Sequence, residues 1–352
     1  MRAWLLSGFS GVASMTLSDV PSPSPGAGEV VIELALAALN PADRYLALAQ
    51  YPAKPPLPHV LGRDGVGRVV AVGEGVTGVK PGDIRAIMRS AVGVSRWGTL
   101  AQQVAVEANY TVPIPPGWTP EQAAAAPLVY LTAWQALTQW PDMPPDSTGR
   151  VALVTGATGG VGVASIQLAH ALGHTVIGLS RSAAKSQRLR TLPGGGANFT
   201  FNPEDTTGTH WRKQLKDALG DRRVDLAIDN IGGALFSEVV DSMAMAGRVS
   251  CVGRLAGPVP SFNTASLFFR RVRIGGVAVA TYSNEQSRDA WQRLLEVLAR
   301  TGAAPIIDHV FPFDDVQAAV ARLEAGPMGK VLVHIGAPSG LNLHSPVAGS
   351  SG

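Results

Sequence analysis

A single cysteine, Cys251, stands in a chain of 352 residues. One thiol excludes an intramolecular disulfide and any multi-cysteine zinc site. It lies in the apolar run RVSCVG, where a buried structural thiol is expected rather than a nucleophile. Cysteine this sparse suits a reducing compartment, and a cytoplasmic location is expected. Charge is sparse as well. Only 16% of residues are charged, the net charge is +3, and no long basic run offers a surface to nucleic acid or membrane. The tightest basic cluster, Arg270-Arg271-Val272-Arg273, reads as a solvated loop, with a subunit contact or a phosphate neighbour as the alternative. No apolar run approaches the roughly 18 residues that span a bilayer. In MRAWLLSGFSG, Ser7 and Gly8 break the apolar patch before a signal-peptide core forms, so this stretch is read as a first strand. The seven histidines, His59, His170, His174, His210, His309, His334 and His344, are scattered. None is paired at ligand spacing with a carboxylate or another histidine.

What is present is apolar material: 46% of the chain is hydrophobic, enough for one large or two medium domains. From the N-terminus to about residue 120 the pattern is short β runs punctuated by Gly and Pro, among them VVIELALAAL, VGRVVAVGEGV and VKPGDIRAIM. Strands at this spacing predict a small, mostly β, barrel-like unit. WTPEQAAAAPLVYLTAWQAL is helical and opens on the start signal Thr119-Pro120-Glu121. From Val151 the pattern changes to alternating strand-like and helical runs: VALVT, VASIQLAHAL, TVIGLS, DLAID, FSEVVDSM, RVSCVG. Such alternation predicts an α/β unit, a doubly wound parallel sheet with helices on both faces. VAVAT, SRDAWQRLLEVLART, HVFPF, VQAAVARLEAG and KVLVHI are read as a return to the first unit. The closing GAPSGLNLHSPVAGSSG is small, polar and pattern-free, the composition of a mobile end. The predicted division is therefore 1–122, 123–268, a return over 269–336, and a tail over 337–352.

The stretch VALVTGATGGVG, Val151–Gly162, organises the second of these units. Four apolar residues make a strand too short to be a helix. A turn through Gly156, Thr158, Gly159, Gly160, Val161 and Gly162 then leads into a helix. Glycines let the chain turn sharply and let a pyrophosphate approach, and the free N–H groups of the helix start bind its charge. The spacing is G-x-x-G-x-x-G rather than the more usual dinucleotide pattern.

Taken in order, NPADRYLALAQY, PHVLGRDGVGRVVAVGEGV, KPGD, PLVYLTAWQAL, VTGATGGVGVASIQLA, DLAIDNIGG and GKVLV cover nearly the whole chain. Together they resemble the zinc-independent quinone oxidoreductase and enoyl reductase branch of the medium-chain dehydrogenase/reductase superfamily. The resemblance implies a GroES-like, mostly β catalytic domain split around a Rossmann-type nucleotide-binding domain, with the active site in the cleft between them and a homodimer paired along an edge strand near Arg273–Ala280. Alignment with the zinc-dependent branch puts Asn40, Arg63 and Leu128 at its three catalytic ligand positions. An amide, a guanidinium and an alkyl group cannot build an N/S tetrahedral zinc site, so no catalytic metal is expected.

A bound NAD usually meets an acidic residue about 20 residues past the glycines. Here Ser180 and Arg181 end the second strand, with Lys185 one turn on. These would bind a 2′-phosphate through charge-assisted hydrogen bonds, which favours NADP(H); a solvated basic helix start is the alternative. The resemblance places Thr132 near the pyrophosphate, Asn230 and Gly253 at later strand ends beside the cofactor, and Lys330 within reach of its phosphates. An ordinary helix threonine and an exposed strand-start lysine explain Thr132 and Lys330 equally. Asn40 is implied beside the nicotinamide or the substrate carbonyl, although capping the turn with Pro41 suits the residue as well.

With no metal and no Ser/His/Asp arrangement, the chemistry expected is hydride delivery to an activated C=C or a quinone. An enone, enoyl thioester or quinone delocalises the charge that a metal would otherwise stabilise. The candidate proton donor is Tyr51, which matches the tyrosine of related enoyl reductases without the preceding glycine; a loop aromatic before Pro52 is the alternative. The competing functions are an alcohol dehydrogenase, which the missing zinc ligands disfavour, and a nucleotide-binding sensor with little catalysis.

Overall fold

The computed structural model describes residues 1–144, 148–205, 208–259, 261–338 and 341. The chain forms two units, residues 1–128 with 305–352 and residues 129–304.

The first unit begins with β1 (Arg2–Leu6), β2 (Met15–Asp19) and β3 (Glu29–Ala38), then the short helix α1 (Pro41–Ala47). It continues through β4 (His59–Val60), β5 (Asp64–Val72), β6 (Ile84–Ile87), β7 (Gln103–Glu107) and β8 (Thr111–Val112) to α2 (Pro120–Ala125). β1 pairs with β2 on one side and β4 on the other, in a sheet of three strands. The start of the chain is thus a strand, as its broken apolar pattern predicts. The Thr119 hydroxyl caps α2 by accepting from the Gln122 N–H at 3.3 Å, and Pro120 fills the first helical position, where no N–H is needed. The helical run read as one stretch is two. α3 (Pro127–Thr138) starts afresh, because Pro127 brings no N–H for a bond within α2.

The second unit carries β9 (Val151–Val154), α4 (Gly160–Ala171), β10 (Thr175–Leu179), α5 (Ala183–Arg190), β11 (Phe199–Phe201) and α6 (Trp211–Leu219). It goes on through β12 (Val224–Asp229), α7 (Leu235–Ser242), β13 (Met243–Cys251), α8 (Ala265–Phe269), β14 (Arg273–Gly276) and α9 (Asn284–Ala299). The six strands run parallel in the order β11-β10-β9-β12-β13-β14. This is the doubly wound Rossmann order, in which the direction of winding reverses between the first and fourth strands, here β9 and β12. β9 is buried along its whole length, as a central parallel strand must be.

Beyond Pro305 the chain rejoins the first unit with β15 (Ile307–Pro312), α10 (Val316–Glu324) and β16 (Lys330–His334). These strands complete a seven-stranded sheet in the order β15-β16-β3-β5-β6-β8, with β7 also on β3. Val30, Ile32 and Leu34 of β3 pack with Val104, Val106, Val331 and Val333 in its core. The return therefore begins after Ala304 and not at 269. β14 is the sixth strand of the parallel sheet, and α9 packs on α4 with Ala290, Trp291, Leu294 and Leu298 buried. Of the tail over 337–352, all but Ala337, Pro338 and Leu341 lies outside the described residues. Among the described residues, no helix is long and apolar enough to cross a membrane.

Candidate active site

In the second unit, the turn after β9 stands where the winding reverses, the position at which open parallel sheets bind ligands. Gly156 has φ +57°, a left-handed conformation that favours glycine. Gly162 is needed for a different reason. A Cβ there would overlap the Gly156 carbonyl oxygen and lie 2.7 Å from the Ala157 C and Cα. Gly159 is the N-cap of α4, and the first helical bond runs from the Val163 N–H to the Gly159 carbonyl at 2.9 Å. The N–H groups of Gly160, Val161 and Gly162 therefore precede the intrahelical ladder and suit an anion. Thr158 is half-buried in the same turn. A pyrophosphate fits this cradle.

Strand order gathers the other expected residues around it. Asn230 follows β12, beside β9; its side-chain amide donates to the Thr155 carbonyl at 2.8 Å, tying the two strand ends together. Gly253 follows β13, and a Cβ on it would sit 2.8 Å from the Asn230 carbonyl oxygen. Ser180 and Arg181 follow β10, on the other side of β9. The Ser180 hydroxyl donates to the Ser182 carbonyl at 3.3 Å, and Arg181 makes an exposed ion pair with Glu204 at 3.4 Å. Exposed pairs of this kind contribute little, roughly 0–1 kcal/mol. The Ser182 hydroxyl caps α5 by accepting from the Lys185 N–H at 3.4 Å. Thr132 is buried on α3.

One residue here escapes the sequence reading. Asp229, 1% exposed, accepts from the Thr155 hydroxyl at 2.6 Å and from the Ile231 and Gly232 N–H groups at 3.3 and 3.0 Å. Burial pushes its carboxyl above the usual range, against the pull of the Thr155 bond. It braces the turns after β9 and β12. The signal available in sequence was a lone carboxylate closing the apolar run DLAID. Cys251, at the end of β13, is half-buried rather than buried, and desolvation pushes its thiol up to about 11; such a thiol is a poor nucleophile near neutral pH.

In the first unit, register builds a second cluster. Ala38 at the end of β3 pairs with Asp64 of β5 on one side and with Leu332 of β16 on the other. Asp64, Asn40 and Lys330 thus meet at one corner of the sheet. The Lys330 ammonium donates to Asn40 Oδ1 at 2.6 Å and to the Leu39 carbonyl at 2.9 Å, and stands 3.5 Å from Asp64 Oδ2. Asn40 Nδ2 donates to Asp64 Oδ2 at 2.8 Å and to the Ala38 carbonyl at 3.3 Å. The Leu128 N–H donates to Asp64 Oδ1 at 3.1 Å. Lys330 is therefore no exposed strand-start residue. It is 4% exposed, and its ammonium is directed at Asn40, the Leu39 carbonyl and Asp64. Burial lowers its pKa, opposed by Asp64 and Asp43. Asn40 is the N-cap of α1, and both amide hydrogens and its carbonyl oxygen already have partners.

Of the positions aligned with zinc ligands, Asn40 and Leu128 meet at the Asp64 carboxylate, whereas the Arg63 side chain is directed at Tyr51. That donor set does not fit zinc: the amide is in use, and neither a guanidinium nor an alkyl group is a ligand. Among the described residues, no three His, Cys, Asp or Glu are grouped where they could hold a metal ion. Tyr51 lies in the loop after α1. Its ring packs on the core of the first unit, and its hydroxyl accepts from Arg63 Nη1 at 3.3 Å, with the guanidinium 5.8 Å from the ring centroid.

Asp43, on α1, accepts from the Asn40 N–H at 2.8 Å through Oδ2, while buried Oδ1 has no partner. Burial pushes this carboxyl up to about 6, against the pull of the Asn40 N–H, Arg63 and Lys330. An acid whose folded pKa exceeds its unfolded value takes up a proton on folding between the two. The Asp43 contribution is thus full below its ordinary value near 3.8 and is lost as pH rises through about 6, a loss of about 3 kcal/mol. Asp43→Asn should remove that slope, measured as the difference in urea midpoint between variant and wild type on either side of the interval. His174, which burial pushes down to about 4, contributes the opposite slope in both proteins and cancels in the difference. A variant that parallels the wild type at every pH would contradict this assignment.

Comparison with known proteins agrees with both units. Residues 26–116 match the family described as Alcohol dehydrogenase GroES-like domain, and residues 160–300 match Zinc-binding dehydrogenase. The quinone oxidoreductase of Lama guanicoe is 30% identical over 337 residues, covering 95% of this chain and 97% of that protein. A crystal structure of an NAD-dependent alcohol dehydrogenase superposes with a TM-score of 0.84 at 31% identity, over 96% of this chain and 100% of the other. A mycobacterial protein solved with NADPH gives 0.82 at 27% identity, over 95% and 100%. Near-complete coverage on both sides, with both family models matched in this chain, makes it a pyridine-nucleotide-binding oxidoreductase of the medium-chain dehydrogenase/reductase superfamily.

Proposed function

We propose that the protein uses NADPH to reduce an activated C=C or a quinone: an enone, an enoyl thioester or a quinone proper. The observation that carries this reading is the corner of the first unit, where Asn40, Arg63 and Leu128 stand at the ligand positions and Lys330 supplies the buried positive charge against Asp64. Side chains of these types provide no Lewis acid to ionise an alcohol. An acceptor that delocalises charge into its own carbonyl does not need one. When bound, the reduced nicotinamide supplies the hydride. The protein supplies the turn of β9 and α4 for the pyrophosphate, with Asn230 and Asp229 bracing it, and Ser180 and Arg181 for a 2′-phosphate. Tyr51 supplies the proton, from a phenol held on the core of the first unit. The engaged amide of Asn40 gives it the role of fixing the turn between β3 and α1.

Absorbance of the reduced nucleotide tests this directly. Decay is expected with menadione, crotonaldehyde or crotonyl-CoA, and no NADP⁺ reduction with simple alcohols. Discrimination for NADPH over NADH should reach roughly tenfold in kcat/KM, about the effect of one charge-assisted hydrogen bond. Alcohol-dependent NADP⁺ reduction would reassign the chain to the alcohol dehydrogenases. Tight nucleotide binding with no turnover would make it a sensor, and equal kcat/KM for the two nucleotides would remove the 2′-phosphate role of Ser180 and Arg181.

A further inference from the structure

We infer that Arg63 is a positioning residue for proton transfer, acting through the phenol of Tyr51; this rests on the proton-donor reading of Tyr51 given above. The two side chains come from different loops, and both loops are fixed. Arg63 follows Leu61 and Gly62, whose carbonyls accept from the Leu100 and Thr99 N–H groups at 3.0 Å each, and the Thr99 hydroxyl donates to the Asp64 carbonyl at 2.9 Å. Tyr51 leaves the end of α1, where the Gln50 N–H donates to the Tyr45 carbonyl at 2.8 Å, and lays its ring on the core of the first unit. Arg63 Nη1 then donates to the Tyr51 oxygen.

A guanidinium beside buried carboxylates usually pairs with one. Asp43 is near enough to feel the charge of Arg63. Even so, among the described residues no carboxylate lies within ion-pair distance of Arg63, whereas Lys330 stands 3.5 Å from Asp64. The cation is directed at a neutral phenol instead. Because the phenol oxygen accepts from Arg63, its own hydrogen is the one left to give. When the O–H bond breaks and the proton passes to the substrate carbanion, both electrons of that bond stay on the phenol oxygen. The N–H···O bond from Arg63, whose donor is already charged, then meets a full negative charge on its acceptor and strengthens. An interaction stronger after transfer than before it lowers the barrier. Water returns the proton to the phenolate afterwards. At 3.3 Å the bond is long in the resting protein, as such bonds commonly are before substrate binds.

The test is a double-mutant cycle with crotonaldehyde and NADPH on wild type, Arg63→Met, Tyr51→Phe and the double variant. Expected are falls in kcat of roughly 10- to 100-fold for Arg63→Met, the range set by a hydrogen bond to a developing charge, with the KM for NADPH unchanged. In the Tyr51→Phe background, Arg63→Met should have no further effect. A residue holding only the fold would lower kcat by the same factor in both backgrounds, which would overturn the inference while leaving Tyr51 in place. Unchanged kcat in Arg63→Met would overturn it as well. Unchanged kcat in Tyr51→Phe would remove the proton-donor reading and the role of Arg63 with it. Thermal unfolding of all four proteins separates these outcomes from misfolding, and Arg63→Gln, which keeps an N–H donor without the charge, should fall between wild type and Arg63→Met.

Discussion

Lys330→Met is expected to destabilise the protein by about 3–5 kcal/mol, the usual effect of removing one partner of a buried ion pair. Lys330 is 4% exposed and Asp64 fully buried. Without Lys330, Asp64 keeps the Asn40 amide and the Leu128 N–H but loses its only cation within 4 Å among the described residues, while Asn40 Oδ1 and the Leu39 carbonyl lose their donor. Urea unfolding measures the effect, as a lower midpoint at unchanged slope. Adding Asp64→Asn to Lys330→Met should recover part of the loss, since the stranded charge is then gone. A loss below about 1 kcal/mol in the single variant would show that the carboxylate is protonated or hydrated, and that the cluster is not held by charge.

Gly162→Ala is expected to abolish useful nucleotide binding, with a loss of at least about 100-fold in affinity for NADPH, equivalent to about 2.7 kcal/mol. The added methyl meets backbone only: the Gly156 carbonyl oxygen, and the Ala157 C and Cα at 2.7 Å. No side chain can swing aside, so the turn itself must open, and the N–H groups at the start of α4 lose their common aim. Overpacking of this kind also lowers stability by about 1–3 kcal/mol. Gly159→Ala gives the comparison. Its Cβ would have only the Gly156 oxygen near it, at 3.6 Å, so its folding stability should stay close to that of the wild type. Titration of NADPH fluorescence and thermal unfolding of both variants decide the point. Wild-type affinity in Gly162→Ala would mean that the dinucleotide does not use this turn.

What could be read in the chain follows the reach of each physical signal. Alternation of short apolar strands with helical runs is local, and it gave the parallel sheet and its glycine turn. Side-chain chemistry at single positions is local too, so Asn40, Arg63 and Leu128 argued against zinc without a structure. Lys330 shows where locality ends. Its burial depends on β16 pairing with β3, which brings Lys330 to Asn40, 290 positions earlier in the chain, and nothing in GKVLV reports it. The later return to the first unit has the same cause: β14 looks like any short strand until β13 is seen beside it. Asp43 and Asp64 read as ordinary polar residues in NPAD and LGRDG, because only the fold turns them inward. The break at Pro127 was available in the sequence and was overridden by the continuous apolar run around it.

The placement of β16 also bears on how the chain is made. Residues 129–304 are contiguous and emerge from the ribosome as a block, so this unit holds all of its own strands before synthesis ends. The first unit does not. Until residues 330–334 are released, the flank of β3 that pairs with β16 is an open strand edge, the kind that recruits other chains. Asp64 and Asn40 wait through the same interval without their ammonium. The order of completion is therefore the reverse of the order of synthesis: the unit begun first is finished last, and it is the nascent β3 edge that most needs shielding in the meantime.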